Sequence, residues 1–414
     1  MTLSDTAETT PASGTSVGSN PDFRRYIVAR FIWVMATQIT NIAVGWLVYD
    51  VSQSALALGL VGLAAFAPRL VVVFVSGLVS DRFDRRLVIC SCFAVNALAG
   101  LALMLVATSD PVPLGWVYVI FTFSGTARGF AGPAVQSLTP TLVSRDHLSR
   151  ALSLTASVSQ TAVIVGPALG GLLYTFGPIA PFSVAVMGFL VAIALLLTIA
   201  PRGSASGKAP VKLSDVFAGF VFIRRRPIIL GAISLDMMSV LFGGVVALLP
   251  IVAADVLEIG PSGLGILRSM PAVGAVMVSA WLSYMPIRRH AGPKLFGAVI
   301  VFGLATICFG LSSNLILSLL MLWIIGASDV ISVVIRQTLV QGDTPNEIRG
   351  RVSAVNSLFL GASNELGEFE SGATAALFGL VPAIVLGGIG TISVAVLWAL
   401  MFPQLRKRDA LVDP

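Results

Sequence analysis

Apolar residues run through this chain in twelve long stretches that are separated by short polar segments. A helix needs about 20 mostly apolar residues to cross the hydrocarbon core of a bilayer, and each stretch offers roughly that length. The pattern therefore predicts twelve membrane-spanning helices, called spans 1 to 12 in chain order. We place them at residues 25–49, 56–80, 87–108, 114–140, 148–176, 178–200, 227–254, 261–284, 294–312, 315–341, 350–378 and 381–403.

A polar and basic segment at residues 201–226 is the long interruption of this pattern, and it divides the spans into two sets of six. The predicted organisation is a flexible cytoplasmic tail, a six-helix half, a cytoplasmic linker, a second six-helix half and a second cytoplasmic tail. These five parts cover residues 1–22, 23–200, 201–226, 227–403 and 404–414.

The two sets of spans are weak repeats of each other. An offset of 201 residues aligns identical residues, namely Gly125 with Gly326, Gln136 with Gln337, Leu138 with Leu339, Arg150 with Arg351, Gly166 with Gly367 and Gly171 with Gly372. Two halves related by an axis along the membrane normal are typical of secondary transporters that rock around a site at the midplane. The predicted fold class is an all-α polytopic membrane protein with two pseudo-symmetric six-helix halves.

Composition agrees with this class and adds the orientation. Of the 414 residues, 56% are hydrophobic and 11% are charged, and the mean hydropathy is +0.93, as in membrane proteins. Lys and Arg concentrate in the loops on the side of the N-terminus, so the positive-inside rule predicts that both termini are cytoplasmic. The net charge of +6 follows from this topology and requires no nucleic-acid partner.

The sequence lacks the usual signals of enzymatic chemistry. Its two histidines, His147 and His290, lie in predicted loops far from any carboxylate cluster. Its cysteines, Cys90, Cys92 and Cys308, are spaced unsuitably for a disulfide or a four-ligand metal site. Nucleotide-binding loops are also absent. We therefore expect no enzyme, no metal and no cofactor, and transport that is driven by a gradient of an ion or of the substrate.

The loop between spans 2 and 3, GLVSDRFDRRLVI at residues 77–89, resembles the signature loop of the major facilitator superfamily. That signature, Gly-x-x-x-Asp-Arg-x-Gly-Arg-Arg, is matched by Gly77, Asp81, Arg82, Arg85 and Arg86. Asp84 replaces its second glycine. Asp81 can accept hydrogen bonds from an arginine or from a helix N-terminus, so we expect it to latch the two halves together in one state. The equivalent loop of the second half has no aspartate, which predicts a single latch.

Span 5 contains VGPALGG at residues 165–171, which resembles a signature associated with exporting members of the superfamily. We expect its small residues to permit close helix packing and its proline to kink the helix; the residues concerned are Gly166, Pro167, Gly170 and Gly171. With TPNEIRGR at 344–351 and NELGEFESG at 364–372, the pattern is similar to the enterobactin-exporter-like branch, whose members expel siderophores or drugs. The resemblance implies a monomeric transporter in the bilayer of the bacterial inner membrane.

Ionisable residues inside the predicted spans mark the functional site, because charge within hydrocarbon is unfavourable. Apart from Arg30 near the inner end of span 1, they occur in spans 2, 4, 7, 8, 10 and 11. In the family, spans 3, 6, 9 and 12 face lipid and the others surround the cavity. We assign to the substrate cavity Gln38, Asn41, Arg69, Arg128, Asp329, Arg336, Asn364 and Glu370. We assign to proton coupling Asp236, Glu365 and Glu368.

Span 11 has a polar stripe when it is drawn at 100° per residue. Glu365 and Glu368 lie on the stripe, whereas Glu370 points away from Glu368. Two carboxylates one turn apart in a cavity of low dielectric repel each other, and desolvation disfavours their charged forms, as a proton carrier requires. Two alternatives remain. The glutamates form ion pairs with Arg69 or Arg128 that hold the bundle together, or they bind Na⁺ or Ca²⁺ together with neighbouring oxygens.

The repeat also relates charged positions. Arg128 and Asp329 are equivalent, so their opposite charges either attract across the cavity or are structural. Glu368 takes the place of Pro167. Asp236 in span 7 either recognises a cation or relays a proton, or it is bonded to a nearby serine or backbone group.

These observations favour a proton-coupled antiporter that exports a small organic solute by alternating access. The alternative is an importer or facilitator of an organic anion or vitamin-like solute, in which Arg69, Arg128 and Arg336 bind the anion. The expected partners are the solute, protons and, less readily, Na⁺.

Overall fold

The computed structural model describes residues 20–200 and 213–411, and in these ranges the regular structure is helical. Its α-helices are α1 Pro21–Ser52, α2 Ala55–Arg82, α3 Arg85–Ala107, α4 Leu114–Leu142, α5 Leu148–Tyr174, α6 Ile179–Leu197, α7 Leu213–Arg225, α8 Pro227–Phe242, α9 Leu249–Ile251, α10 Gly260–Tyr284, α11 Ala291–Gly310, α12 Leu315–Gly342, α13 Asn346–Phe378, α14 Leu380–Met401 and α15 Pro403–Arg406. A 3₁₀ turn at Val245–Leu248 and a π turn at Val252–Val256 flank α9.

Ten helical segments of this part are long and apolar enough to cross a membrane, and the composite segment Pro227–Val256 is one of them. Helices α4 and α13 are also long enough, with 29 and 33 residues, but polar residues lower their hydropathy. Together these segments account for the twelve predicted spans: α1–α6 are spans 1–6, the composite segment is span 7, and α10–α14 are spans 8–12. Each predicted boundary lies within four residues of the observed one.

Side-chain caps set several of these helix starts. Asn20 accepts a hydrogen bond from the backbone N–H of Asp22 at 3.0 Å at the start of α1. Asp84, the residue that departs from the family signature, accepts from the N–H of Arg86 at 2.9 Å and so caps α3. Capping oxygens satisfy amide groups that lack a partner in the first helical turn.

Close contacts at glycines show that the sequence repeat is also a structural repeat. Gly125 of α4 lies against the carbonyl group of Ala65 in α2, and Gly326 of α12 lies against the carbonyl group of Pro271 in α10. Spans 2 and 4 of the first half are therefore packed in the same way as spans 8 and 10 of the second half.

The same symmetry relates two close helix contacts that join the halves. Gly171 of α5 lies against the backbone of Pro261 in α10, and its repeat partner Gly372 of α13 lies against the backbone of Ala55 in α2. The helix pairs α5–α10 and α2–α13 thus cross the boundary between the halves at equivalent places. Small residues let two helix backbones approach closely in a membrane.

The helices that the resemblance places against lipid carry exposed apolar side chains. Examples on α3, α6, α11 and α14 are Leu98, Leu105, Leu190, Leu304, Val396 and Leu400. Large exposed apolar patches are rare on soluble proteins, so these surfaces fit contact with lipid.

The predicted linker and the predicted C-terminal tail both contain residues that pack against the helix bundle. Within the predicted linker, α7 packs on α13: Gly219 meets the backbone of Arg351, and Ile223 is buried. Within the predicted C-terminal tail, Arg408 Nη2 lies 3.2 Å from Asp343 Oδ1. Residues 1–19, 201–212 and 412–414 lie outside the described part.

Candidate functional site

Two cavities lie one above the other between the two halves of the bundle. The terminal side is defined here as the side on which α1 begins and α14 ends, and α2 runs towards it. The first cavity has about 130 Å³ and is lined by α2 residues such as Leu58 and Gly62. The second has about 410 Å³ and is lined by later α2 residues such as Arg69 and Leu70. The larger cavity is therefore nearer to the terminal side.

The smaller cavity contains the two glutamates of α13 that the sequence assigned to proton coupling. Both Glu365 and Glu368 line it, together with Arg268 of α10. Arg268 Nη2 lies 3.5 Å from Glu368 Oε1, and its Nη1 donates a hydrogen bond to the carbonyl oxygen of Val246 at 3.0 Å. The side chains of Arg268 and Glu368 are 28% and 30% exposed, so solvent in the cavity reaches this ion pair.

Arg128 of α4 lies between the two cavities, because it lines both of them. Its Nη2 donates to Asn41 Oδ1 at 2.9 Å, and Asn41 Nδ2 in turn is 3.4 Å from Gln38 Oε1. The predicted residues Gln38, Asn41 and Arg128 therefore form one polar chain from α1 to α4.

The larger cavity carries polar groups from both halves. Arg69 and Gln136 reach it from α2 and α4, and Ser353 and Ser357 reach it from α13. Its described lining residues include the guanidinium groups of Arg69 and Arg128 and no carboxylate.

This arrangement allows the glutamates to exchange electrostatic partners. The carboxyl group of Glu365 lies within electrostatic range of four other charged side chains, namely Glu368, Arg128, Arg69 and Arg268. A proton on Glu368 would remove the attraction between its carboxylate and the Arg268 guanidinium, which lies across the cavity on α10. The protonation of one side chain is thereby linked to a contact between two helices.

Three other predicted residues lie inside the second half, away from these cavities. Arg336 Nε of α12 is 3.3 Å from Asp236 Oδ1 of α8, and the two side chains are only 1% and 5% exposed. Arg336 Nη1 donates to Asn356 Oδ1 of α13 at 2.6 Å. Asp329 shares a separate small cavity with Asp236. Of the two alternatives for Arg128 and Asp329, the structure does not show attraction across the cavity, because Asp329 faces α8 of its own half.

Asn364 and Glu370 are also placed differently from the prediction for a substrate cavity. Asn364 is exposed and lines neither of the two cavities between the halves. Glu370 accepts a hydrogen bond from Thr374 Oγ1 at 2.8 Å, one turn further along α13. An i,i+4 partner on the same helix satisfies this carboxylate without any contact to the cavity.

In the signature loop, the described arginines bind carbonyl groups of their own half. Arg85 Nη1 donates to the carbonyl oxygen of Ser137 at 3.3 Å. Arg86 Nη1 donates to the carbonyl oxygen of Leu197 at 3.3 Å. These bonds tie α3 to the terminal-side ends of α4 and α6. Gly77, Asp81 and Arg82 end α2, but their side chains lie outside the described part, so the latch stays a prediction.

The small residues of span 5 lie at two helix crossings. Gly166 and Gly170 meet Gln38 and Ile39 of α1. The carbonyl group of Pro167 meets Gly265 of α10. Helix α5 continues through Pro167 from Leu148 to Tyr174.

Sequence reasoning missed two pairings. Arg268 is an ionisable residue of span 8, but nothing in the sequence identified Glu368 as its partner. Tyr49 Oη of α1 donates a hydrogen bond to Asp255 Oδ2 in the π turn, which joins the halves on the side opposite the terminal side. Asp255 follows the apolar part of span 7 and gave no signal beyond that of a loop residue.

Comparisons with known proteins agree with this architecture. The sequence model of the family described as transmembrane secretion effector matches residues 13–413. The enterobactin exporters EntS of Shigella boydii serotype 18 and of Escherichia coli O81 are each 24% identical over 392 residues, which cover 94% of this chain and 94% of each relative.

Solved structures with the same fold are similar over nearly the whole chain. A mutant of the nucleoside transporter NupG has a TM-score of 0.74 at 10% identity and covers 92% of this chain and 100% of its own. A bacterial homologue of the human lysosomal transporter Spinster, in an inward-facing and unoccupied conformation, has a TM-score of 0.72 at 15% identity, with coverage of 94% and 97%. The predicted fold class is confirmed.

Proposed function

This chain belongs to the transmembrane secretion effector family of the major facilitator superfamily, and on that premise we propose that it is a proton-coupled antiporter that exports a small organic solute. It is a multi-pass membrane protein and a secondary transporter, not an enzyme, and a small molecule is its substrate. The observation that carries the proposal is that Glu365 and Glu368 lie among arginines in a cavity between the halves. Similarity to enterobactin exporters supports the outward direction.

We place the terminal side in the cytoplasm of a bacterial cell, at the inner membrane, in accordance with the positive-inside rule. The larger cavity then faces the cytoplasm, and the Tyr49–Asp255 hydrogen bond closes the outer side. A solute would enter from the cytoplasm, pass Arg69 and Arg128, and reach the glutamates of α13. Release follows when the halves rock and open the outer side.

The sign of the coupling follows from competition for the carboxylates. A solute that donates hydrogen bonds to Glu365 and Glu368 binds more tightly when they are ionised, whereas a proton neutralises them. Each ligand therefore weakens the binding of the other, and linkage makes this effect reciprocal. Protons that enter from outside would release the solute there, and a fresh solute would release the protons into the cytoplasm.

Transport can be tested with labelled siderophores, dyes and antibiotics in a bacterium that lacks its main efflux systems. We expect cells with the wild-type protein to accumulate less of at least one compound, and an uncoupler to abolish the difference. Glu368→Gln should raise accumulation to the level of cells without the transporter, because a glutamine cannot cycle a proton. Glu370→Gln is the matched control: it removes a carboxylate of the same helix that lies outside the cavities, and efflux should persist.

Greater accumulation of a compound in cells with the wild-type protein would favour the second function, uptake of an organic anion. Arg69 and Arg128 in the larger cavity give that function some support, since its described lining residues add no carboxylate. An anion binds better when the glutamates are protonated, so protons would then move with the substrate. Greater accumulation in cells with the wild-type protein, together with proton uptake, would replace export by import.

The Tyr49–Asp255 hydrogen bond on the outer side leads to a further prediction. Tyr49→Phe removes a hydrogen bond to a carboxylate that joins the halves, a bond of about 1.5–3 kcal/mol. We expect the outward-open population to rise roughly tenfold or more, because about 1.4 kcal/mol corresponds to a factor of ten. The measurement is the rate at which a membrane-impermeant thiol reagent, added outside, labels Asn41→Cys in a Cys308→Ser background.

Tyr118→Phe provides the matched control for this measurement. Tyr118 Oη is directed at the carbonyl oxygen of Ala57 within the first half, at 3.5 Å, so its loss should leave the labelling rate unchanged. Equal labelling of the Tyr49→Phe and Tyr118→Phe proteins would show that the Tyr49–Asp255 bond does not hold the outer side closed.

A further inference from the structure

We propose that a small cavity between α8, α11 and α12, inside the second half, is a binding site for one Na⁺ ion. Its polar lining consists of the carboxyl groups of Asp236 and Asp329 and three serine side chains, Ser239, Ser328 and Ser332, and its apolar lining consists of Val240, Ala298, Val299 and Phe302. It is separate from the cavities that contain Glu365 and Glu368. The proposal goes beyond the proton-coupled export proposed above and does not depend on it.

The charges around this cavity leave a deficit of one positive charge. Arg336 is 1% exposed and Asp236 is 4% exposed, and the two form a close ion pair. Asp329 adds a second carboxyl group within electrostatic range of both of them. With the carboxylates ionised, the cluster of Asp236, Asp329 and Arg336 has a net charge of −1. An uncompensated charge within a membrane-spanning bundle is strongly unfavourable, so a single positive charge would stabilise this cluster.

A buried hydroxyl group without a partner gives independent support. Ser332 is 4% exposed, and its Oγ makes no hydrogen bond in the described part of the chain. Buried hydroxyl groups are normally satisfied, so such a group calls for a bound partner. The hydroxyls of Ser239 and Ser328 donate to helix carbonyl groups, which leaves their oxygen lone pairs available. The cavity therefore presents five oxygen-bearing side chains.

Size and charge favour Na⁺ over other ligands. The cavity has about 10 Å³, which is room for one water-sized guest. Carboxylate and hydroxyl oxygens suit hard cations, but a divalent ion prefers more ligands or a stricter geometry and would leave an excess positive charge. A proton on Asp329 would balance the charge, yet it would neither fill the cavity nor use the serine oxygens. A monovalent metal ion would balance the charge, fill the cavity and use the serine oxygens.

The site is connected to the helix that carries the glutamates. Arg336 donates to Asn356 of α13 at 2.6 Å, and Asn356 lies nine residues before Glu365 on the same helix. An ion beside Asp236 and Asp329 would therefore act on the orientation of α13 through Arg336. The site is placed to modulate transport from within the second half.

Thermal unfolding of the purified protein tests ion binding without any need for transport. At constant pH and ionic strength, we expect NaCl to raise the Tm saturably compared with KCl and N-methylglucamine chloride, since a ligand that binds the folded state stabilises it. Equilibrium binding of radioactive Na⁺ to the wild-type protein should give a stoichiometry of one ion per chain. Asp329→Asn and Ser332→Ala should each lower the apparent affinity for Na⁺ at least tenfold, both in the Tm titration and in the binding of radioactive Na⁺.

Two comparisons separate a ligand role of Ser332 from a structural one. Without Na⁺, Ser332→Ala should be at least as stable as the wild type, because the substitution removes an unpartnered buried hydroxyl. Ser318→Ala removes a buried hydroxyl of the same helix that is bonded to Ser312, and its response to Na⁺ should stay normal. Equal effects of Na⁺ and K⁺, a response to pH alone, or Na⁺ binding that survives both Asp329→Asn and Ser332→Ala would overturn the proposal. Each of these results leaves export through Glu365 and Glu368 untouched.

Discussion

Arg336→Gln is expected to destabilise the folded protein by about 3–5 kcal/mol, the usual effect of removing one partner from a buried ion pair. The guanidinium of Arg336 is the positive charge beside Asp236 and Asp329, and it also bonds to Asn356. Its loss leaves the carboxyl groups of Asp236, which is buried, and of Asp329, which is partly buried, without the positive charge beside them. We expect a large fall in the amount of monodisperse protein after detergent extraction and a lower Tm of what remains.

A double substitution distinguishes electrostatics from packing. Asp236→Asn together with Arg336→Gln removes both charges of the pair and keeps nearly the same volume, so stability should return most of the way to that of the wild type. Arg225→Gln, at an exposed arginine of α7, should have little effect. If the double variant were as unstable as Arg336→Gln alone, the contribution of Arg336 would come from its shape and its bond to Asn356.

Gly125→Ala and Gly326→Ala are each expected to destabilise the protein by about 1–3 kcal/mol, because an added methyl group overpacks a helix crossing. The added Cβ at these positions would overlap the carbonyl groups of Ala65 and Pro271, and backbone atoms cannot rotate away as a flexible side chain can. The two helices would have to separate. The measurement is the Tm of each purified variant in the same detergent.

Gly132→Ala is the control for both substitutions. It lies in α4 like Gly125, but no neighbouring atom lies within 4 Å of an added Cβ there. Alanine favours helix over glycine by up to about 1 kcal/mol, so this variant should be neutral or slightly more stable. A similar Tm for all three variants would mean that the two crossings are loose enough to admit a methyl group.

The fold could be predicted because its determinants are local and repeated. Apolar length set each span, and identical glycines at one offset indicated two related halves. The offset also related Glu368 to Pro167, and in the structure each faces a helix of the other half: Gly62 of α2 lies beside Glu368, and Gly265 of α10 lies beside Pro167.

The pairings inside the bundle could not be predicted, because they depend on how each helix is rotated about its axis. Arg268 had several acidic residues as possible partners, and only the rotation of α10 and α13 towards the same cavity selects Glu368. One alternative placed Asp329 opposite Arg128 of the first half, but the rotation of α12 turns it towards Asp236. The bond from Thr374 to Glu370 is different, since the i,i+4 spacing of these residues was visible in the sequence.

The docked C-terminal segment offers a route to observing the motion of the halves. Leu405 is fully buried, Asp409 Oδ1 lies 2.6 Å from His290 Nδ1, and Arg408 binds Asp343. Residues 405–409 are thus fastened to the loops before α11 and after α12 and should move with them. A spin label or fluorophore at Ala410 would report the displacement of the whole second half, and a second probe on the first half would convert that displacement into a distance.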